Sequence, residues 1–265
     1  MKKTILITGA SSGFGLLLAT KLHESGYHVI GTSRNPEKTQ TPFKMLALDI
    51  ADETSVNEFR KILFETTNRL DVLINNAGYM LVGIAEETSL ELGKKQFETN
   101  FWGTVNLTNA LLPYFRKQNS GQIITISSIM GLIGLPSKSI YSASKHALEG
   151  YFKSLRFELN QFNVKVSMVE PMWFKTNLGN SAVTSDIKIA AYDSFREQAN
   201  AYIKKSIENA EQPEVVVNAI IKLMGAKAPK FNYPVGKMAG MILFLQNYAY
   251  NAFEGSILKS VKTAK

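Results

Sequence analysis

Thr4-Ile5-Leu6-Ile7-Thr8-Gly9-Ala10-Ser11-Ser12-Gly13-Phe14-Gly15 decides the fold class. A short apolar run leads straight into a turn holding three glycines, and the turn opens a helical stretch, Phe14 to Glu24. A strand that gives way to a helix in this manner gathers unpaired backbone N–H groups and the positive end of a helix dipole at one point. Glycines there make the turn tight and let the backbone approach a pyrophosphate. A glycine cluster alone also serves as a plain structural turn. Its place in the first strand-to-helix connection favours dinucleotide binding, with Gly9, Ser11, Ser12, Gly13, Phe14 and Gly15 as the cradle.

Outward from this turn, apolar strand-like runs alternate with amphipathic stretches, as expected of βαβ units and a parallel sheet. The pattern predicts strands over Thr4 to Thr8, Tyr27 to Ser33, Lys44 to Leu48, Val72 to Asn75, Gln122 to Ser127 and Lys165 to Glu170. Between them lie helices over Phe14 to Glu24, Glu53 to Thr67, Leu90 to Gln118 (one helix, or two broken near Asn100) and Ser142 to Gln161. Right-handed crossovers then give an α/β, Rossmann-type, doubly wound parallel sheet with helices on both faces. No repeat, low-complexity tract or linker divides the chain. The expectation is one domain, with 1–170 as its coenzyme-binding core and 171–265 supplying a substrate loop, helices and tail. After Pro171 the alternation weakens: Ser181 to Ala210 reads as helical, Pro213 to Met224 as a further helix, and Asn232 to Val235 as a last short strand.

Composition removes several classes of chemistry. The 265 residues include no cysteine, which excludes disulfides, zinc–thiolate sites and thiol catalysis. Three scattered histidines, His23, His28 and His146, lack metal-ligand spacing, so no metal is expected. The net charge of +8 reads as a solvated basic surface, and no aromatic-basic pattern suggests a nucleic-acid partner. The first residues lack the apolar core and small-residue cleavage site of a leader, so a cytoplasmic protein is expected. The tail from Lys237 to Leu258 is rich in Met, Leu, Phe and Tyr, but its longest apolar run, Met238 to Leu245, is well short of the ~18 residues that span a bilayer. It reads as a packed helix or one lying on a surface, membrane included.

Tyr141 and Lys145 stand four apart at the start of a helical stretch, so their side chains share one face about a turn apart. An ammonium near a phenol favours the phenolate, and the expectation is a lowered pKa that makes Tyr141 a proton donor or acceptor. An isolated YxxxK is a common string; its neighbours give it weight here. The spacing Thr8-Gly9-xxx-Gly13-x-Gly15, the run Asn75-Asn76-Ala77-Gly78, Asp49-Ile50, Asn100, Ser127-Ser128 and Tyr141-Ser142-Ala143-Ser144-Lys145, in this order, resemble the short-chain dehydrogenase/reductase family, most nearly its steroid and retinol dehydrogenase branch.

The resemblance covers most of the chain and implies roles. Ser128, thirteen residues before Tyr141, would hold the substrate oxygen. Tyr141 would exchange a proton with that oxygen, Lys145 would also bind the nicotinamide ribose, and Asn100 would support a water chain to Lys145. Asp49, Ile50, Asn76, Ala77, Gly78, Pro171 and Thr176 would contact the coenzyme. One departure stands out: the family follows its sixth strand with Pro-Gly, whereas this chain has Pro171-Met172, whose side chain should crowd the nicotinamide site or wall the substrate pocket. The resemblance also implies a homo-oligomer, dimer or tetramer, pairing through helices around Leu107 and Tyr151.

At the end of the second strand, Thr32-Ser33-Arg34-Asn35 holds no carboxylate of the kind that binds a ribose 2′-hydroxyl. Arg34 offers instead a planar donor fork suited to phosphate, with Ser33 beside it, and the expected coenzyme is NADP (NADPH). Met130, Leu132, Ile133, Leu135, Met172, Trp173 and Phe174 would line an apolar pocket for a small apolar carbonyl or alcohol, or belong to the core. A non-catalytic NADP-binding regulatory protein is the competing class, and would be marked by loss of the tyrosine, lysine or serine. An extended sugar-nucleotide epimerase would need a longer C-terminal domain and other glycine spacing.

Overall fold

In the computed structural model, which describes residues 2–175 and 182–263, strand β1 (Thr4–Ile7) is buried along its whole length. It passes through the glycine turn into α1 (Gly13–Glu24). β2 (His28–Ser33), β3 (Lys44–Ala47), α2 (Glu53–Thr66) and β4 (Val72–Asn75) follow. Asp52 caps α2 by accepting from the Thr54 N–H at 2.9 Å, which satisfies one of the donors a helix start leaves free. A two-residue strand β5 (Leu81–Val82) precedes α3 (Leu90–Phe97), which Ser89 caps. A π-helical turn, Glu98–Gly103, then joins α3 to α4 (Thr104–Gln118), so the long helical stretch is interrupted at Asn100. β6 (Gly121–Ile126), α5 (Ser139–Leu159) and β7 (Val164–Pro171) complete the central run.

β7 leads on to β8 (Val183–Thr184), α6 (Asp193–Glu208), α7 (Glu214–Met224), β9 (Asn232–Val235), α8 (Ala239–Tyr248) and α9 (Tyr250–Thr263). Seven strands pair in parallel in the order β3-β2-β1-β4-β6-β7-β9. The order reverses between β1 and β4, and in such sheets a crevice opens beyond the strands' carboxyl ends at the reversal. Alternation along β1 sends Ile5 and Ile7 to the face covered by α1 and α7, with Leu18, Leu22, Val216 and Ile220. Leu6 goes to the face covered by α2, α4 and α5, with Phe59, Leu63, Leu107, Phe115 and Phe152. Burial on both faces is why these strands read as unbroken apolar runs.

Beyond β7 the structure departs from expectation. The helical reading of Ser181 to Ala210 holds only for α6; Ser181 lies outside the described residues, and Val183–Thr184 pairs with Leu81–Val82 in a second, two-stranded parallel sheet. Two-residue strands leave no periodicity to read, and these partners lie about a hundred residues apart. A buried ion pair anchors the same region: Glu87, fully buried, accepts from Arg196 of α6 through both carboxylate oxygens and from the Ile189 N–H at 2.8 Å. Arg196 holds the Glu87 carboxyl below its ordinary range.

The tail forms two helices that meet at Ala249. Ala239 and Phe253 pack into a third apolar cluster with Met80, Ile129, Met130, Ile133 and Tyr141, and Ile242, Leu243 and Trp173 lie against it. Met241, Phe244, Tyr248 and Tyr250 remain exposed. Among the described residues no helix is long and apolar enough to cross a membrane.

Candidate active site

A cleft of 420 Å³ runs along the carboxyl ends of β1, β2, β4, β6 and β7. Its first wall is the glycine turn. Gly9 and Gly13 take φ of +65° and +54°, a left-handed backbone that other residues adopt only at a cost. Gly15 does not face the cleft. A Cβ there would stand 2.3 Å from the Gly9 carbonyl oxygen and 2.5 Å from Asn76 Nδ2, so its bareness lets α1 close on the turn. Asn76 braces the turn by donating from Nδ2 to the carbonyls of Thr8 and Gly9 at 2.8 and 3.0 Å. Thr8 Oγ1 in return accepts from the N–H groups of Asn76 and Ala77, both at 2.9 Å. The Ser12 side chain makes no capping bond to α1, which leaves first-turn N–H groups to meet an anion.

Ser11, Ser12, Gly13 and Phe14 line this end of the cleft, and the wall continues through Ser33, Arg34, Asp49, Ile50, Asn76, Ala77 and Gly78. The Ser33 hydroxyl is buried without a partner, while Arg34 is exposed beside it. Asp49 turns its carboxylate onto its own loop, accepting from the Ala51 N–H at 3.0 Å. A glycine-lined cradle at a helix start, with an unpartnered hydroxyl and an exposed guanidinium beyond it, fits the pyrophosphate and ribose of a nicotinamide coenzyme.

At the far end Ser128, Tyr141, Lys145 and Pro171 close the cleft. Tyr141 and Lys145 occupy the first turns of α5, with Nζ 5.8 Å from the phenol ring centroid and donating to the Ile126 carbonyl at 3.0 Å. The expectation that Lys145 lowers the phenol's pKa is not met: burial pushes Tyr141 up to about 12, and only Ser128 pulls the other way. Burial likewise drives Lys145 down to about 8, against the field of Glu149. Desolvation therefore sets the direction of both shifts, each favouring the neutral form.

Asn100, 1% exposed, lies beneath the cleft in the π-helical turn. Its amide donates to the Tyr79 carbonyl at 2.9 Å, accepts from the Tyr79 N–H at 3.0 Å and reaches Ser144 Oγ at 3.4 Å. Thr176 lies outside the described residues. Met172 packs closely on Gly236, where a Cβ would stand 2.8 Å from the Met172 Cβ. The Met172 N–H donates to Val235, and its side chain faces the cleft.

Several residues of the site escaped the sequence reading. Tyr79, Met80 and Ile207 line the cleft, Ile207 from the last turn of α6. Behind Lys145, Glu149 and the fully buried Glu170 share the Asn232 amide at 3.3 and 2.6 Å, and Glu170 also accepts from the Tyr233 N–H at 2.8 Å. Burial holds both carboxyls well above their ordinary range. Only Glu149 left a signal, being next in the Tyr141, Lys145 series of four-residue steps.

The family described as short chain dehydrogenase matches residues 3–187. The chain is 40% identical over 250 residues to 3-ketodihydrosphingosine reductase of Bacteroides thetaiotaomicron, covering 93% of this chain and 92% of that protein. It is 34% identical over 249 residues to retinol dehydrogenase 8 of Bos taurus, covering 86% and 79%. The solved structure of ElxO with NADP bound superposes with a TM-score of 0.74 at 28% identity, covering 91% of this chain and all of that one. With the glycine cradle, the Tyr141/Lys145 helix and these matches taken together, the chain belongs to the short-chain dehydrogenase family, in its steroid/retinol dehydrogenase-like branch.

Proposed function

We propose that the protein is an NADP(H)-dependent oxidoreductase interconverting an alcohol and a ketone or aldehyde on a small apolar substrate. The observation that carries this reading is the convergence of Ser128, Tyr141 and Lys145 at one end of a cleft whose other end offers Arg34 and no free carboxylate at the second strand. When bound, the coenzyme gives or accepts the hydride at the substrate carbon. Ser128 and Tyr141 donate hydrogen bonds to the substrate oxygen, and in reduction Tyr141 passes its proton to that oxygen as it becomes a hydroxyl. Lys145, held by the Ile126 carbonyl, stabilises the phenolate left behind and orients the ribose. Asn100 acts through position, fixing the Tyr79 backbone and the Ser144 side of α5.

Gly9, Ser11, Ser12, Gly13 and Phe14 would hold the pyrophosphate, Ser33 and Arg34 the 2′-phosphate, and Asp49, Ile50, Ala77, Gly78 and Pro171 the adenine and nicotinamide ends. An apolar substrate is supported by Met80, Met130, Met172 and Trp173 around the reacting end, and by two relatives whose names specify a ketodihydrosphingosine and a retinol. The exposed side chains of Trp102 and Phe157 support a homo-oligomer. The non-catalytic alternative loses ground because the tyrosine, lysine and serine are all present and converge. A panel of apolar ketones, aldehydes and alcohols, followed by NADPH absorbance, tests the proposal. Consumption of NADPH with at least one carbonyl compound is expected. NADPH binding without turnover of any member would favour the regulatory alternative.

A further inference from the structure

Tyr141, Lys145 and Glu149 follow one another at four-residue steps along α5, so the three side chains form one row. The first two line the cleft, and Glu149 stands a turn behind them, buried. Glu149 Oε2 accepts from Asn232 Nδ2 at 3.3 Å. Its other oxygen, Oε1, has no hydrogen-bond partner among the described residues, and neither has the Ser127 hydroxyl. Both atoms close over the bare Cα of Gly131, where a Cβ would stand 2.6 Å from Ser127 Oγ and 3.1 Å from Glu149 Oε1. Ser127 lines the cleft, so the Glu149 carboxyl lies close behind the cleft wall.

A second buried carboxyl decides which of the two carries charge. Asn232 opens β9, and its Nδ2 also donates to Glu170 of β7 at 2.6 Å, which ties both carboxyls to one amide nitrogen. Two carboxylates so placed repel each other, and one of them keeps a proton. Burial raises both, Glu149 to about 7 and Glu170 to about 8; Ser127 and Lys145 pull Glu149 back, whereas Glu149 pushes Glu170 further up. The proton therefore stays on Glu170, and Glu149 becomes the anion. Facing Glu149 are Lys145 and the exposed Lys153 from its own helix, Glu170 from β7, the Asn232 amide from β9 and the Ser127 hydroxyl just past β6. Lys145 in turn faces the Tyr141 ring and the Ile126 carbonyl, and burial strips its proton against the field of Glu149 alone.

We propose that Glu149 is a positioning residue for the proton chemistry: its carboxylate, left ionised because Glu170 holds the pair's single proton, keeps Lys145 an ammonium and so sets the upper pH at which the site works. The effect on turnover rests on the oxidoreductase reading, whereas the effect on the charge of Lys145 does not. An uncharged Lys145 could no longer stabilise the phenolate that Tyr141 leaves behind. A single buried anion beside it balances the ammonium, and the neutral Glu170 keeps that balance from tipping to a second negative charge.

In the full chain with ¹³C-labelled lysine, the Cε resonance of Lys145, assigned by its disappearance in Lys145→Arg, follows the ammonium as pH rises. Glu149→Gln removes the charge but keeps an acceptor for Asn232, so the Lys145 midpoint is expected to fall by about one pH unit, the low end for losing an opposite charge a few ångströms away. Glu149→Asp returns the charge and should recover most of that shift. Glu170→Gln keeps an acceptor for Tyr233 and puts a permanently neutral group where the proton sits, so the midpoint should not fall. Should Glu149→Gln not fold, Glu149→Met is read in its place. With NADPH and a carbonyl compound that the wild type consumes, the high-pH limb of turnover should move down together with the Lys145 midpoint. A midpoint unmoved by Glu149→Gln, or lowered equally by Glu170→Gln as a merely loosened cluster would give, overturns the proposal. Turnover whose high-pH limb ignores Glu149→Gln also overturns it and leaves the oxidoreductase reading standing. A midpoint that follows Glu149, in a protein that oxidises NADPH with no carbonyl compound, upholds the control of Lys145 and removes the oxidoreductase reading.

Discussion

The two ends of the cleft are built from different material. At the coenzyme end the working surface is backbone: a turn with two left-handed glycines, a bare Gly15 and a helix start, braced by Asn76 and Thr8. At the substrate end it is side chain, brought in by segments remote from one another, such as Met80, Trp173 and Ile207, with the helices after Lys237 packed behind them. A backbone cradle depends on local conformation and tolerates little change. A side-chain wall depends on packing between distant segments and can be remade residue by residue. The first suits a ligand that every catalytic cycle uses, and the second suits a substrate specific to this chain.

Where the two ends meet, the largest effect is expected from Tyr141→Phe. It keeps the ring and removes the proton, so turnover should fall by roughly 10² to 10⁴, while the coenzyme dissociation constant stays near the wild-type value. Steady-state kinetics beside coenzyme titration separate the two quantities, and near-normal turnover would remove Tyr141 from the chemistry.

A smaller effect is confined to the coenzyme end. Arg34→Ala should weaken NADPH by roughly 10- to 150-fold, the worth of a charged hydrogen bond, and leave NADH almost unchanged. Adding Ser33→Asp places a carboxylate where the proposal puts the 2′-phosphate and should turn the preference toward NADH. Both dissociation constants are measured at one ionic strength, since salt screens phosphate contacts. Equal weakening of both coenzymes by Arg34→Ala would show that Arg34 does not choose between them.

Behind Lys145 the comparison sharpens through pH. Burial raises the Glu170 carboxyl from 4.5 to about 8, with the neighbouring Glu149 adding to the rise. The folded protein therefore holds this proton more tightly than the unfolded chain. Its contribution to stability is fullest below pH 4.5 and is lost as pH climbs toward 8. Glu170→Gln should flatten this slope by roughly 1 to 3 kcal/mol across that window, read from urea unfolding at a series of pH values. An unchanged slope would mean that Glu170 titrates normally in the folded protein.

The smallest effect belongs to the tail. Ile242, half-buried against the cluster that holds Tyr141 and Met130, contributes about 1 kcal/mol of apolar packing to the substrate wall. Ile242→Ala should raise the KM of an apolar substrate about fivefold without altering coenzyme binding. An equal loss at both ends would make the tail a general support of the fold.

The same contrast explains what could be read in advance. The alternating strands and helices, the glycine turn and the Tyr141/Lys145 helix were legible because each is local: a periodicity, a turn or a spacing on one helix. The pairing of Leu81–Val82 with Val183–Thr184, the Glu87–Arg196 ion pair and the wall at Ile207 were not, because each joins segments far apart in the chain. The direction of the Tyr141 shift was misread for a related reason. A spacing places Lys145 near the phenol, but the burial that outweighs it is a property of the assembled core. The close packing of Met172 on Gly236 likewise joins segments far apart in the chain.

The most direct test of the central claim, that Tyr141 and its neighbours reduce a carbonyl compound at the expense of NADPH, follows the hydrogen itself. NADPH deuterated at the transferring position is supplied with a carbonyl compound that the wild type consumes, and the product is examined by mass spectrometry and NMR. One deuterium on the carbinol carbon is predicted, together with loss of product formation in Tyr141→Phe protein that still binds the coenzyme. A product without the label, or one formed at full rate by Tyr141→Phe, would contradict the account.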